Sequence, residues 1–215
     1  MKWTLCIATV PIRAEKLKRM MDLLLPQVEK YKDIEILIFY NNFEHTIGYL
    51  RQKMQDEARG EYISSLDDDD LIPKDFVDTI YPLLDGVDYV GFEVELKNDG
   101  KTLPRVYHSL KYSEWSQDDD GYYRGVTHLN PIKTEIARRA TYPEVENGED
   151  YQWTVAVHDY MKGAGREFTE HYIDRRMYTY DHFGHEPMAQ LRRKPVWPKY
   201  KSKNVRFHPE STPNA

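Results

Sequence analysis

Short apolar runs of strand length, separated by stretches with helical periodicity, constrain this chain more than any other feature. WTLCIATV (3–10) and IEILIFY (34–40) are near-continuous apolar runs, ended by Pro11 and by Asn41-Asn42, and read as buried strands. EYISSL (61–66) reads as a third strand and DYVGFEVEL (88–96) as a fourth. Between them, Leu17, Met20, Met21, Leu24 and Leu25 recur at helical spacing from Ala14 to about Pro26. Ile47, Leu50 and Met54 mark one face of a helix over 47–58 that Gly60 stops, and Phe76, Val77, Ile80 and Leu84 face inward on a helix over 74–84. Strand and helix in alternation predict an α/β fold, a mostly parallel sheet with helices on both faces. Ligand sites in such sheets lie at the carboxyl ends of the strands, which singles out residues 9–13, 40–45 and 67–70.

The pattern changes after residue 97. KNDGKTLPRVYHSLKYSEWSQDDDGYYRG mixes turn residues with short aromatic segments and reads as a hairpin-rich region. A helix is predicted over 131–140, led by Pro131, and another over 149–162, following Asn147-Gly148. From Arg192 the chain is basic and proline-rich and reads as an extended arm. The expected organisation is one domain over 1–190, with a nucleotide-binding half at 1–97 and an acceptor-side half at 98–190, followed by a basic arm at 191–215. The formal charge of −6 argues against a general polyanion binder. The lone Cys6 excludes a disulfide framework, and no apolar run is long enough to span a bilayer, so a cytoplasmic protein is expected.

Two aspartate runs need opposite readings. Asp118, Asp119 and Asp120 lie in SQDDDGYY, between a glutamine and a glycine, and read as a polar hairpin tip. Asp67, Asp68, Asp69 and Asp70 close a strand predicted to be buried, with the proline-led segment IPKDF just beyond. Carboxylates fixed at a sheet's carboxyl edge stay ionised at modest cost only when cations or donors face them. Hard oxygen ligands suit Mg²⁺ or Mn²⁺, which bind through one or two carboxylates together with substrate phosphates.

Here the chain resembles a known family. EARGEYISSLDDDDLIPKDF is similar to the A-G-E-Y-I-x-x-L-D-x-D-D-x-x-x-P stretch of glycosyltransferase family 2, whose members have the GT-A fold. ATVPIRAEKLKRMMDLLLPQ resembles that family's first strand and helix, and NGEDYQW (147–153) resembles its later E-D motif. The resemblance implies a Rossmann-like GT-A domain and metal-dependent transfer of a hexose from a nucleotide sugar, a UDP-sugar such as UDP-glucose, to an acceptor hydroxyl with inversion. It makes Asp69 the carboxylate that binds the divalent ion, Mn²⁺ or Mg²⁺, bridging the donor phosphates. Asp67 falls near the ribose and the metal's water shell, Asp68 on the nucleotide side, and Asp70 at the cap of the next helix. Arg13 matches the arginine beside the nucleobase, and Thr9, Pro11 and Arg51 complete the donor side.

One departure stands out. The family places Asp at the end of the second strand to meet the uracil ring, where FYNNFEH here offers Asn41 or Asn42. An amide both donates and accepts, so either could still meet a base edge.

Asp150, beside Glu149, matches the family's general base. A carboxylate in a helix's first turn also has a purely structural use, complementing the dipole. Glu149 is placed to bind acceptor hydroxyls or to hold the loop. RGVTHLNPIK (124–133) falls where the family builds its acceptor wall, which nominates Arg124, His128 and Asn130. His182 and His185, in YTYDHFGHEP, are candidates for a late-loop metal ligand, whereas His158 and His171 read as structural. The arm's basic residues, interleaved with Trp197 and Tyr200, could track nucleic acid or pack against the acidic body. The acceptor is left open among a glycan, a protein and a nucleic-acid base bearing a hydroxyl. The rival readings are a nucleotidyltransferase, disfavoured because ATVPIRAEK has no glycine-rich phosphate loop, and a non-catalytic metal- or nucleic-acid-binding module.

Overall fold

A computed structural model of the protein describes residues 1–98, 101–102, 104–182 and 200–208. The first half runs β1 (Trp3–Thr9), α1 (Ala14–Val28), β2 (Ile34–Tyr40), α2 (Ile47–Glu57), β3 (Tyr62–Asp67), α3 (Phe76–Ile80) and β4 (Tyr89–Asn98). The second half runs β5 (Lys101–Thr102), β6 (Arg105–His108), β7 (Ser116–Gln117), β8 (Gly121–Arg124), β9 (Ile132–Lys133), α4 (Thr134–Ala137), α5 (Glu149–Gly163), β10 (Glu170–His182) and β11 (Val205–Phe207).

β1 lies between β2 and β3, parallel to both. Thr9 pairs with Tyr40 and Ala8 with Asp67, so the carboxyl ends of all three strands reach the same edge. Side chains alternate along a strand, and here both faces are covered. Trp3, Leu5 and Ile7 enter one core with Leu17, Met20 and Leu24 of α1 and Phe76 of α3. Cys6, Leu37 and Phe39 enter the other with Leu50 and Met54 of α2 and Trp153 and Val157 of α5. Each Leu or Ile so enclosed contributes roughly 1.5–3 kcal/mol relative to exposure. The buried indole N–H of Trp3 is satisfied, donating to Ser64 Oγ at 3.1 Å.

The sheet is mixed rather than mostly parallel. Its path is β11-β2-β1-β3-β9-β4-β6-β8-β7, with β5 and β10 also on β4. β9 runs antiparallel to β3 and β4, β4 antiparallel to β5 and β6, and β7 antiparallel to β8. The helix expected over 131–140 is therefore largely absent. Ile132 pairs with both Ile63 and Tyr89, and the helical turn begins only at Thr134, whose hydroxyl donates to the Gly60 carbonyl. The sheet's demand for Ile132 outweighs local periodicity. The helix expected over 74–84 is also shorter: α3 ends at Ile80, and Tyr81–Leu83 forms a 3-10 turn. Pro82 has no N–H to continue the α ladder.

Part of the basic arm belongs to the sheet. β11 pairs parallel with Ile36–Ile38 of β2, and Arg206 reaches Glu35 at 3.2 Å and Glu57 at 3.1 Å. Of the arm's two uses raised by the sequence, packing on the acidic body holds for Arg206. Among the described residues, no helix is long and apolar enough to cross a membrane.

Candidate active site

The carboxyl end of β3 delivers four acids into four different surroundings. Asp67 meets Arg51 Nη2 at 3.0 Å, and the cations around it hold its carboxyl below the ordinary range against the effect of burial. Asp68 is buried, accepts from the Thr9 hydroxyl, and pairs with Arg13 Nη1 at 3.1 Å. Burial nonetheless pushes it up to about 7. Asp69 keeps 22% of its side chain exposed and meets Arg13 Nη2 at 3.2 Å and Lys16 Nζ at 3.8 Å. Burial, with Asp67 alongside, raises its carboxyl despite those cations.

Asp70 turns the other way. It does not cap the next helix, whose N-cap position is Asp75. Its Oδ1 accepts from the Asp181 amide at 2.9 Å, and burial beside Asp67 pushes its carboxyl well above the ordinary range. Leu71 and Thr179 exchange backbone hydrogen bonds at 3.0 and 2.8 Å, tying the acidic turn to β10. The acids of the run that line the cleft are thus Asp67–Asp69, and Asp70 anchors the turn.

Arg51 connects this turn to α5. The guanidinium is buried, with Nη2 on Asp67 and Nε 3.0 Å from Glu149 Oε1. Gly148, at φ 79°, adopts the left-handed conformation that starts α5, so Glu149 and Asp150 sit in its first turn. Asp150 lies on the same cleft as Asp67, Asp68 and Asp69, a cavity of about 1370 Å³. Two acidic motifs far apart in sequence therefore share one cleft and one buried cation.

The other nominated residues divide. Thr9, Arg13, Arg51, Arg124 and His128 line the cleft. His128 Nε2 lies 3.8 Å from Asp67 Oδ2, within ion-pair reach but beyond hydrogen-bond length, and has no hydrogen-bond partner among the described residues. Pro11 opens the 3-10 turn Pro11–Arg13, with φ suited to aiming Arg13 at the acids. Asn41 borders the cleft, but its Oδ1 accepts from the amides of Glu44 and His45 and its Nδ2 donates to the His45 carbonyl. That closed turn holds Phe43 at φ 61°. Asn42 is exposed and off the cleft wall. Asn130 is fully enclosed behind the wall, with Oδ1 2.7 Å from both Thr127 Oγ1 and His108 Nδ1 and Nδ2 donating to Val90 O. His182 closes β10, and His185 lies outside the described residues.

The residues read as structural behave so. Asp118 Oδ1 accepts from the amides of Asp120 and Gly121 and from the Tyr123 hydroxyl at the β7–β8 turn. His158 Nε2 accepts from Val126 N, and His171 meets the Leu83 carbonyl.

The donor set at the cleft is hard oxygen. Among the described residues no three His, Cys, Asp or Glu side chains form a ready metal cage. Mg²⁺ and Mn²⁺ do not require one when substrate phosphates supply further oxygens. Asp67 and Asp69, both facing the cleft, fit that partial role.

Three contributors escaped the sequence reading. Lys16 and Arg19 follow Arg13 at intervals of three on the first turns of α1. Lys16 faces Asp69, while Arg19 Nη2 donates to the Asp69 carbonyl at 2.8 Å and Nη1 lies 3.6 Å from Asp181. That spacing was the available signal. Trp115 also lines the cleft, and nothing local in YSEWSQ marked it.

No family model matches the chain, and no curated protein matches it. Solved structures do. A crystal structure of S. aureus TarS 1–349 aligns with 84% of this chain and 60% of its own, at 14% identity and TM-score 0.60. Its complex with UDP-GlcNAc aligns with 88% of this chain and 61% of its own, at 14% identity and TM-score 0.61. A mycobacterial protein aligns with 88% of this chain and 69% of its own, at 12% identity and TM-score 0.54. The chain spans about three fifths of the TarS 1–349 chains and 37% of a longer TarS chain. At such identity the likeness is one of fold, a mixed α/β domain with a large central sheet, consistent with a Rossmann-like GT-A architecture.

Proposed function

We propose that this chain is an inverting glycosyltransferase of the GT-A type, moving a hexose from a nucleoside-diphosphate donor, in the first instance a UDP-sugar, to an acceptor hydroxyl. The observation that carries this reading is the meeting of Asp67–Asp69 and Asp150 on one cleft, with Arg51 paired to both acidic segments. Likeness of fold to a protein crystallised with UDP-GlcNAc supports the choice of donor.

In this reading the turn after β1 brings Arg13 to the nucleobase side of the donor, and the start of α1 brings Lys16 to its phosphates. Asp67 faces the ribose, and Asp67 and Asp69 would hold a Mn²⁺ or Mg²⁺. Such an ion, when bound, supplies positive charge that stabilises a departing diphosphate. Asp150 accepts the proton of the acceptor hydroxyl as that oxygen bonds to the anomeric carbon. The bond from that carbon to the diphosphate oxygen breaks, and the diphosphate leaves with the electron pair. One displacement inverts the anomeric centre. Base assistance of this kind contributes typically 10²–10⁴-fold. Arg51 is a positioning residue, holding Glu149 and with it the first turn of α5.

The test is turnover of UDP-glucose and UDP-GlcNAc with Mn²⁺, read as UDP release, with the product's anomeric configuration read by NMR. Release of UDP with inversion is the expected result. Absence of turnover with every nucleotide sugar, or a retained configuration, contradicts the reading.

A further inference from the structure

The cleft has two unlike walls. The one built from the carboxyl edge of β1 and β3 and the start of α1 is charged, carrying Arg13, Lys16 and Asp67–Asp69. The other is aromatic: Trp115 and Tyr122 line it with the Arg124 guanidinium beside both rings, whereas Tyr180, next to Thr179 on β10, lines the cleft beside the acidic turn. Tyr151, the residue after Asp150, meets Trp115 edge-on at 5.2 Å. Tyr151 is 49% exposed and Tyr180 40%. The Arg124 guanidinium lies 4.5 Å over the Trp115 ring, where its charge and the ring face attract. Asp150 lines the same cleft as Trp115 and Arg124, one residue before the Tyr151 that meets Trp115.

We infer that this wall is the acceptor site and that its occupant is a neutral saccharide, whose ring lies against Trp115 and Tyr151 with a hydroxyl turned to Asp150. The inference rests on the glycosyltransferase reading above and names the acceptor which that reading left open. A pyranose has apolar C–H faces and a polar rim. Aromatic faces with polar groups at their edges match both, as binding sites built on Tyr and Trp do. Charge separates this occupant from others. Glu146, Glu149 and Asp150 border this part of the cleft, where Arg51 is already paired with Asp67 and Glu149. Arg124 is already engaged, donating to the carbonyls of Ser116 at 3.2 Å and Tyr123 at 3.1 Å. A nucleic-acid backbone or a phosphorylated acceptor would meet carboxylates with too few cations to match. The saccharide hydroxyl gives its proton to Asp150 and its oxygen to the donor's anomeric carbon, and the nucleoside diphosphate departs.

Saturation-transfer NMR on the full chain, with UDP and Mg²⁺ present, tests this with cellobiose, maltose and N,N′-diacetylchitobiose as probes. The C–H protons of at least one disaccharide should be saturated by the wild type. The effect should fall about fivefold in Trp115→Ala, the loss of one ring contact. Tyr151→Ala, at a half-exposed position whose ring meets Trp115 edge-on, should repeat the fall, and Tyr151→Phe, which keeps that ring contact, should not. No contact with any disaccharide, equal contact in both alanine variants, or saturation of an oligothymidylate in their place overturns the inference. Thermal stabilisation by UDP is recorded in parallel. Its absence, with sugar contact still lost in the alanine variants, overturns the donor reading and upholds the saccharide site.

Discussion

Asp88 and Asp68–Asp70 are buried or half-buried acids of one sheet, and burial ends in opposite results, with Asp67, beside Arg51, lowered as Asp88 is. Asp88 accepts from Arg166 at 2.7 and 3.1 Å and from the Thr169 amide at 3.0 Å, with Lys133 Nζ 3.0 Å away. Those donors outweigh desolvation and hold its carboxyl well below the ordinary range. Asp68, Asp69 and Asp70 go the other way, raised by burial with too few cations to oppose it. The difference lies in cations per carboxylate. Asp88 is a finished brace between the start of β4 and the segment leading to β10. In the proposed reading, the run at β3 is an acidic site whose charge is completed by the donor and its metal. Asp118–Asp120 marks a third case, an exposed turn whose first carboxylate serves its own backbone. Acidic density in a sequence therefore says little until the donors around it are counted.

The largest expected break in this comparison is Asp150→Asn. UDP release should fall about 10²–10⁴-fold through kcat, while binding of UDP is kept. Wild-type turnover in that variant would remove Asp150 from the chemistry. Asp69→Asn should cost about 10²–10³ in metal-dependent release, the scale of losing one electrostatic contact to the reacting charge. Asp119→Asn, in the exposed run, should stay within about twofold of wild type. Equal losses in the two runs would erase the distinction between them.

Stability changes come next. Arg51→Met leaves Asp67 and Glu149 without their shared cation and should cost about 3–5 kcal/mol in urea unfolding at neutral pH. Arg51→Lys should recover part of that, keeping the charge but not both contacts. Asp88→Asn should cost about 2–3 kcal/mol at pH 7, the scale of charge-assisted hydrogen bonds. Its sign with pH follows from linkage. A carboxyl lowered by folding contributes stability above its unfolded value of about 3.9 and loses it as pH falls through the folded value. The gap between wild type and Asp88→Asn should thus be full at pH 7 and shrink steadily in acid. A gap that stays constant to low pH would mean that Asp88 acts by packing rather than by charge.

The half of the fold that carries the donor wall was legible because β1–β3 are covered on both faces, which writes them as apolar runs between amphipathic helices. Asp67–Asp69 could be nominated because they close a strand at the sheet's carboxyl edge, whereas Asp150 was nominated through the resemblance of NGEDYQW to the family's E-D motif. Other features depend on contacts that no local pattern encodes. Ile132 joins the sheet because Ile63 and Tyr89 offer it edges. Residues 205–207 become a strand because β2 has a free edge and Glu35 and Glu57 await Arg206. Asp70 faces Asp181, more than a hundred residues on, and the Asn41 amide closes its own turn instead of facing outward. The bridging role of Arg51 needs three elements at once.

The central claim is that the acidic end of β3 is short of positive charge and receives it with a nucleoside diphosphate and its metal. Thermal unfolding of wild type and Asp69→Asn with UDP, with and without Mn²⁺, addresses this directly. Wild type should be stabilised only when both are present, by about 2.7 kcal/mol at a hundredfold excess over Kd, and Asp69→Asn should show no such gain. Full stabilisation by UDP without metal, or an undiminished gain in Asp69→Asn, would contradict the account.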